Sequence, residues 1–336
     1  FHRVQRVIIC VDSCLVPYCY PGNEMAMDRA AVVDLGGTWV RAALVGEDGK
    51  LLGRVAERTD HSKGPAGVID QIVGCVRLAV GKAELPVQYL SQAVVSAPGP
   101  INSRTGIAYG PPNMLGWTTV PVKEMVEARL AVPVQVINDA NVAALGELRF
   151  GAGKGARDLV YITISTGIGA GVVIGGKILE GVTGMAGELG HATIDRGGPV
   201  CKCGNVGCLE TIASGTSIVR RYLEAVPSST VSSVPGVVEA ATGGDEIAES
   251  IMDDAMEAIG VGVVNAIQIF NPEAVILGGG VTKLGERLFG TVQRVVAERA
   301  FPVSRSAVRI LPAALGDDVG LMGGAAIILD QGVVPL

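Results

Sequence analysis

No stretch of the 336 residues reaches the roughly 18 uninterrupted apolar residues that a membrane-crossing helix requires, so the sequence predicts a soluble protein. Basic runs are missing too. The chain has 27 Lys and Arg against 33 Asp and Glu, a net charge of −6 and a pI near 5.2, which disfavours a nucleic-acid-binding surface. Histidine is scarce, with three in the chain, and cysteine occurs seven times. Apolar residues are plentiful: 49% of the chain is hydrophobic and the mean hydropathy is +0.43, ample for a core. The length exceeds that of a typical single core and predicts two lobes.

The scarce residues are concentrated. Four of the ten His and Cys fall within 18 positions, as His191, Cys201, Cys203 and Cys208 in the pattern H-x9-C-x-C-x4-C, with Glu188 and Glu210 just outside. One imidazole and three thiolates on a short loop are the four N/S ligands that zinc takes in a closed tetrahedron. Gly204 and Gly207 permit the tight backbone such a knuckle needs. A full ligand set leaves no position for a reacting water, so the expected zinc is structural and shapes a loop carrying Glu188 and His191 toward another site. Thiolate ligation favours a reducing cytoplasm.

Residues 1–27 differ in composition, with Cys10, Cys14 and Cys19 but no matching chemistry. Asp12 breaks their apolar run, and no small-residue cleavage site follows, which argues against a signal peptide. An upstream translation artefact is the first expectation for this arm, and a short ordered arm the second.

From residue 28 onward strands and helices alternate. Ala31–Leu35, Val40–Val45 and the turn at Glu47–Lys50 predict a hairpin set, followed by a helix over Gly67–Val80 and a strand over Gln92–Ser96. A helix over Val122–Leu130, a buried strand over Val134–Ile137 and a helix over Ala140–Phe150 follow. Beyond the cysteines come a serine-rich loop at Pro227–Pro235, a long helix over Asp245–Phe270, a strand over Glu273–Leu277, a helix from about Lys283, a strand over Val308–Leu311 and a closing helix over Val319–Leu329. Gly278, Gly279 and Gly280 form either a plain strand-to-helix turn or a close approach to a flat or charged ligand.

A weak internal repeat organises this order. Residues 32–53 and 161–181 each read strand, small-residue turn, strand, reverse turn, strand. The turns Gly36-Gly37-Thr38 and Thr166-Gly167-Ile168-Gly169 occupy the same place in each copy, and turns facing each other across a cleft would offer N–H groups and hydroxyls to a polyphosphate.

Four signatures are Asp34-Leu35-Gly36-Gly37-Thr38, Asn138-Asp139-Ala140-Asn141, Glu188-Leu189-Gly190-His191 and the run from Cys201 to Glu210, the last being the most specific. From about Ala30 to Leu329 the chain resembles the ROK family of sugar kinases and repressors. The resemblance implies an α/β fold of two lobes, each a copy of the ribonuclease-H-like unit of actin-like ATPases, with a cleft between them. The smaller N-terminal lobe would span 28–138. The larger lobe would span 139–318 and carry the zinc loop 191–208, and a C-terminal helix over 319–336 would return to the first lobe.

The resemblance also implies an ATP-dependent hexokinase, with glucose phosphorylated to glucose 6-phosphate. Asp139 would be the general base, a role that suits a carboxylate between a strand end and a helix start; capping that helix is the alternative job for an Asp there. Asn113, Asn138, Glu188, His191 and Glu210 would hold the sugar, with His191 using one ring nitrogen for zinc and the other for a hydroxyl. Asp34 would position Mg2+ or its waters. Gly36, Gly37 and Thr38 would embrace the phosphates from one lobe and Thr166 and Gly167 from the other, and Gly278 to Gly280 would lie by the adenosine. Trp39 stands where many relatives carry Lys. The Glu and His of the third signature resemble glucokinase-like members. Kinases for N-acetylglucosamine, mannose or fructose, and polyphosphate as donor, are the alternatives. A ROK-type sugar-responsive transcriptional regulator is the rival class, but the residues ahead of Asp34 offer no winged helix-turn-helix pattern. A homodimer or homotetramer, no nucleic-acid partner and no membrane partner complete the expectations.

Overall fold

The computed structural model describes residues 29–46, 48–85 and 90–330. The expectation for residues 1–27 lies outside the described residues, as does that for 331–336.

The first half opens with β1 (Arg29–Leu35), β2 (Trp39–Val45) and β3 (Leu51–Arg58), an antiparallel set. Helix α1 (Gly64–Lys82) leads to β4 (Leu90–Ala97), which pairs parallel to β1. A small sheet of β5 (Ile101–Asn102), β6 (Ile107–Tyr109) and β7 (Thr119–Pro121) comes next, then α2 (Val122–Leu130), β8 (Val134–Asn138) and α3 (Asp139–Phe150). The main sheet has the order β3-β2-β1-β4-β8. Its central strands read as continuous apolar runs because both faces are covered. Ala31, Val33 and Leu35 enter a core shared with α1, while Val32 enters a different core on the opposite face.

The second half repeats the plan. β9 (Leu159–Ile164), β10 (Ile168–Ile174) and β11 (Lys177–Ile178) are antiparallel, and β12 (Ala274–Gly278) and β13 (Arg309–Pro312) add parallel strands, in the order β11-β10-β9-β12-β13. The two sheets match strand for strand, so the repeat at 32–53 and 161–181 is a structural duplication. Between β11 and β12 the chain forms the cysteine loop and then α4 (Leu209–Ala213), α5 (Gly215–Ala225), α6 (Val234–Thr242) and α7 (Glu246–Phe270). Helices α8 (Glu286–Arg299), α9 (Pro302–Ala307) and α10 (Val319–Leu329) complete the order.

A single core joins the halves. It contains Val32 and Val94 from the first sheet, Leu159 and Ile276 from the second, and Val142 and Leu321 from α3 and α10. The two helices meet at glycine: a Cβ on Gly323 would lie 1.9 Å from the Val142 carbonyl oxygen. Glu147 of α3 is fully buried, and its carboxylate accepts N–H groups from Ala152 (2.8 Å), Ala314 (2.9 Å) and Leu315 (2.9 Å), which fastens α3 to the chain entering α10.

One expectation needs correction, and one sheet was not foreseen. The helix expected from about Lys283 starts at Glu286, because residues 280–284 form a 3-10 turn that ends where Gly285 takes φ +59°. The β5–β7 sheet has no counterpart in the sequence reading, since strands of two or three residues carry no usable alternation.

Candidate active site in the interlobe cleft

Strand ends β1 and β8 of the first sheet and the β9–β10 turn of the second open on one cavity of about 510 Å³. From the first half it is lined by Asp34, Arg41, Asn113, Asn138 and Asp139. Thr166, Gly167, Glu188, His191 and Glu210 line it from the second, together with Cys203. Residues far apart in sequence are thus brought together by the duplicated fold.

Asp139 is the first residue of α3, and the cap of that helix is Asn138, whose side-chain oxygen accepts from Ala140 N (2.9 Å) and Asn141 N (3.3 Å). The capping job considered for Asp139 therefore belongs to its neighbour. One Asp139 oxygen, Oδ1, accepts from Ala140 N at 2.8 Å, and the carboxylate otherwise faces the cleft. Burial, with the nearby charge of Asp34 adding to it, pushes the Asp139 carboxyl up to about 7.

Asp34 is the penultimate residue of β1 and is paired across the hairpin with Arg41, Nη1 to Oδ2 at 3.1 Å. Desolvation raises its carboxyl pKa, and the guanidinium opposes that rise. Arg41 escaped the sequence reading. The signal was the strand register, because a seven-residue separation across a tight hairpin sets the two side chains opposite each other.

The Gly36–Thr38 turn stands beside the cavity rather than in its lining. Thr59 Oγ1 donates to Gly36 O at 2.7 Å and His61 Nε2 lies 2.7 Å from Gly37 O. A Cβ on Gly37 would fall 3.0 Å from Asn113 O, so this turn and the Asn113 loop touch. Trp39 turns aside to stack with Arg58, 5.2 Å from guanidinium carbon to ring centroid. Gly278, Gly279 and Gly280 also lie outside the lining. Gly279, at φ +90°, backs so closely on β9 that a Cβ would sit 2.4 Å from Ile164 O.

Glu188 caps and His191 ends a 3-10 turn in which His191 N donates to Glu188 O at 3.0 Å. Burial raises the Glu188 carboxyl pKa, with His191 opposing. The ligand atoms of His191, Cys201, Cys203 and Cys208 all lie within 4.8 Å of one another. Cys201 Sγ is 3.6 Å from His191 Nδ1, and Cys203 Sγ is 3.7 Å from Cys208 Sγ. Zinc–sulfur bonds of about 2.3 Å in a tetrahedron set the sulfurs about 3.8 Å apart, so the donor set fits zinc in both type and spacing. Since Nδ1 faces the thiols, Nε2 of His191 is the nitrogen left over for another partner.

Two sheets of equal topology, a shared helical joint and an acidic cleft between them define the two-lobed fold of actin-like ATPases. The ROK family model matches residues 30–331, and the chain belongs to the ROK family. Among its relatives is a glucokinase of Thermotoga maritima, 38% identical over 312 residues, covering 89% of this chain and 96% of that one. A ROK hexokinase structure from Thermus thermophilus aligns with a TM-score of 0.79 at 32% identity, covering 90% of this chain and 100% of that one. A ROK glucokinase from Streptomyces griseus, solved with glucose and AMPPNP, aligns with a TM-score of 0.73 at 32% identity and the same coverages.

Proposed function

We propose that the protein is an ATP-dependent hexokinase that transfers the γ-phosphoryl group of ATP to a hexose, with glucose as the substrate and its 6-hydroxyl as the acceptor. The observation that carries this reading is Asp139: a carboxylate relieved of capping by Asn138, facing the cleft, with its pKa pushed up to about 7. A base near neutrality can take a hydroxyl proton and still be ionised at working pH. As the sugar oxygen bonds to the γ-phosphorus and the β–γ bridge breaks, the hydroxyl proton passes to an Asp139 oxygen and ADP departs. The likeness to relatives named glucokinase supports glucose and ATP as the pair.

Asn113, Asn138, Glu188, His191 and Glu210 are assigned to the sugar, since hexose hydroxyls need directional donors and acceptors. Thr166 and Gly167 from one lobe and Gly36, Gly37 and Thr38 from the other are assigned to the phosphates, with Gly278–Gly280 toward the adenosine. Asp34 and Asp139 supply the hard oxygen donors that Mg2+ prefers, and Asp34 is assigned to the ion or its waters. Bound Mg2+ would neutralise charge on the β- and γ-phosphates. Zinc on His191, Cys201, Cys203 and Cys208 would hold the Glu188–His191 turn in place. Residues 28–138 and 139–318 are taken as lobes that close on the substrates and exclude water, the α3–α10 joint being their hinge.

Among the described residues no helix is long and apolar enough to cross a membrane. A reducing cytoplasm suits the thiolate set, and a homodimer or homotetramer is the expected assembly. A coupled ADP-release assay over glucose, mannose, fructose and N-acetylglucosamine, with MgATP or polyphosphate as donor, tests the reading. Glucose with MgATP should give the highest kcat/KM. No turnover on any sugar, together with tight sequence-specific DNA binding in a gel shift, would move the assignment to a sugar-responsive regulator.

A further inference from the structure

Glu210 touches more than the sugar pocket. Its Oε2 accepts the Ile168 amide hydrogen at 2.8 Å, and a Cβ on Gly167 would lie 2.5 Å from that same oxygen. Ile168 closes the turn that begins at Thr166, whose residues face the cleft cavity. Glu210 sits in the first turn of α4, two residues after Cys208, and Ser217 Oγ donates to its carbonyl oxygen at 2.7 Å. The chain immediately beyond fastens the rest of the turn: Gly215 N donates to Ser165 O at 2.7 Å and Thr216 N to Thr166 O at 3.4 Å. From the other side Gly190 presses on the next peptide of the turn, since a Cβ there would fall 2.0 Å from Ile168 O. The β9–β10 turn is therefore clasped between the Glu188–His191 segment and the segment that starts at Glu210. Oε1 of Glu210 takes no hydrogen bond among the described residues, which leaves it for a ligand in the cavity.

We propose that Glu210 is a positioning residue for the turn Thr166–Ile168, so that one carboxylate links hexose binding to nucleotide binding. This rests on the reading of that turn as a phosphate cradle. A hexose hydroxyl on Oε1 fixes the carboxylate rotamer, and the fixed Oε2 in turn fixes the Ile168 amide and the backbone of the cradle. Linkage makes the effect reciprocal: glucose tightens MgAMPPNP binding by the same factor that MgAMPPNP tightens glucose binding.

The test is calorimetric titration of MgAMPPNP, with and without glucose, into wild type, Glu210→Ala, Glu210→Gln and Glu188→Gln. Glu210→Ala should weaken nucleotide binding about tenfold even without glucose and abolish the synergy, because a hydrogen bond to a charged acceptor is lost. Glu210→Gln, whose amide oxygen can still accept from Ile168, should keep the glucose-free nucleotide affinity. Glu188→Gln should lose glucose affinity alone. In hydrogen exchange, the peptide over residues 165–170 should exchange faster in Glu210→Ala and not in Glu210→Gln. Should the alanine variant fail to fold, Glu210→Asp, with its shorter reach, takes its place with the same expectations. Glucose-free nucleotide affinity unchanged in Glu210→Ala, or no synergy in the wild type, would overturn the proposal. A wild type that binds glucose but no MgAMPPNP would instead remove the kinase reading, and this inference with it.

Discussion

Gly320, in the first turn of α10, backs directly onto the Asp34 carboxyl, so closely that a Cβ there would lie 2.5 Å from Asp34 Cγ. Both residues line the cleft, and Asp34 is also held by Arg41 at 3.1 Å. The end of β1 and the start of α10 therefore share one volume that admits no further atom.

Gly320→Ala tests that contact. In a free helix Ala would be favoured over Gly by about 1 kcal/mol. Here the added methyl must displace Asp34 or α10, and overpacking of this kind costs about 1–3 kcal/mol. Thermal melting should show a net loss of stability. Activity should need more Mg2+, read as a rightward shift in the Mg2+ dependence of kcat. An unchanged Mg2+ requirement would detach Asp34 from the metal.

Asp139→Asn separates chemistry from stability. Its carboxyl stands at about 7 in the fold against an ordinary value of 3.8, so the native state keeps a proton the unfolded chain sheds. The wild type is therefore favoured at low pH, and this contribution is lost as pH rises from about 4 through about 7. Asn carries no charge to desolvate and can still accept from Ala140 N. The variant should melt above the wild type at pH 8, with the gap closing toward pH 4, while kcat falls by about 10²- to 10⁴-fold. Wild-type kcat/KM should climb with pH to a plateau above about 7, and glucose affinity should survive the substitution. Full activity in the variant would remove Asp139 as the base.

How much of this was legible in the sequence follows the range of each interaction. The two hairpins could be read because apolar alternation and glycine turns are local signals, and the knuckle because its ligands are close in sequence. Asp139 could be placed at a strand–helix junction from its neighbours, but the transfer of the cap to Asn138 depends on side-chain geometry within two residues. The pairing of Arg41 with Asp34 needed the register. The hold of Glu210 on Ile168 spans 42 residues and uses a backbone donor, which leaves no mark in residue types. Gly320 and Gly323 looked like ordinary residues of an apolar helix, and the strand and helix they press against lie more than 170 positions away.

Glu147→Ala tests the joint between the lobes away from the cleft. The carboxylate is fully buried and accepts backbone hydrogens from Ala152, Ala314 and Leu315. Truncation strands those donors, each costing about 1–3 kcal/mol when left unpaired in the interior. With three neutral donors stranded and partial relaxation, a loss of about 3–5 kcal/mol is expected by denaturant melting. Glu147→Gln should recover part of it, since an amide oxygen can serve some of the donors while its NH2 faces the others. A surface-like effect below about 0.5 kcal/mol would mean that the chain entering α10 is held by packing alone.

Cys203→Ser tests whether the knuckle and the pocket are one unit. Cys201 and Cys208 are buried, whereas Cys203 is exposed and lines the cleft, so its loss removes a ligand with little disturbance of the core. A serine hydroxyl is a harder and far weaker zinc donor than a thiolate. Elemental analysis should show the zinc content falling from one per chain toward zero, and the melting temperature should fall with it. His191 then loses the anchor at Nδ1 that aims Nε2, and Glu188, three residues earlier on the same 3-10 turn, loses its fixed base. Glucose affinity should drop at least about tenfold, the lower end of what disturbed support around a metal site costs. Asn113 and Asn138, which approach the cavity from the other lobe, are untouched by the change, so residual binding through them sets the floor. Zinc-stripped protein with wild-type glucose affinity would show that the Glu188–His191 turn holds its shape unaided, leaving the metal with a role in folding alone.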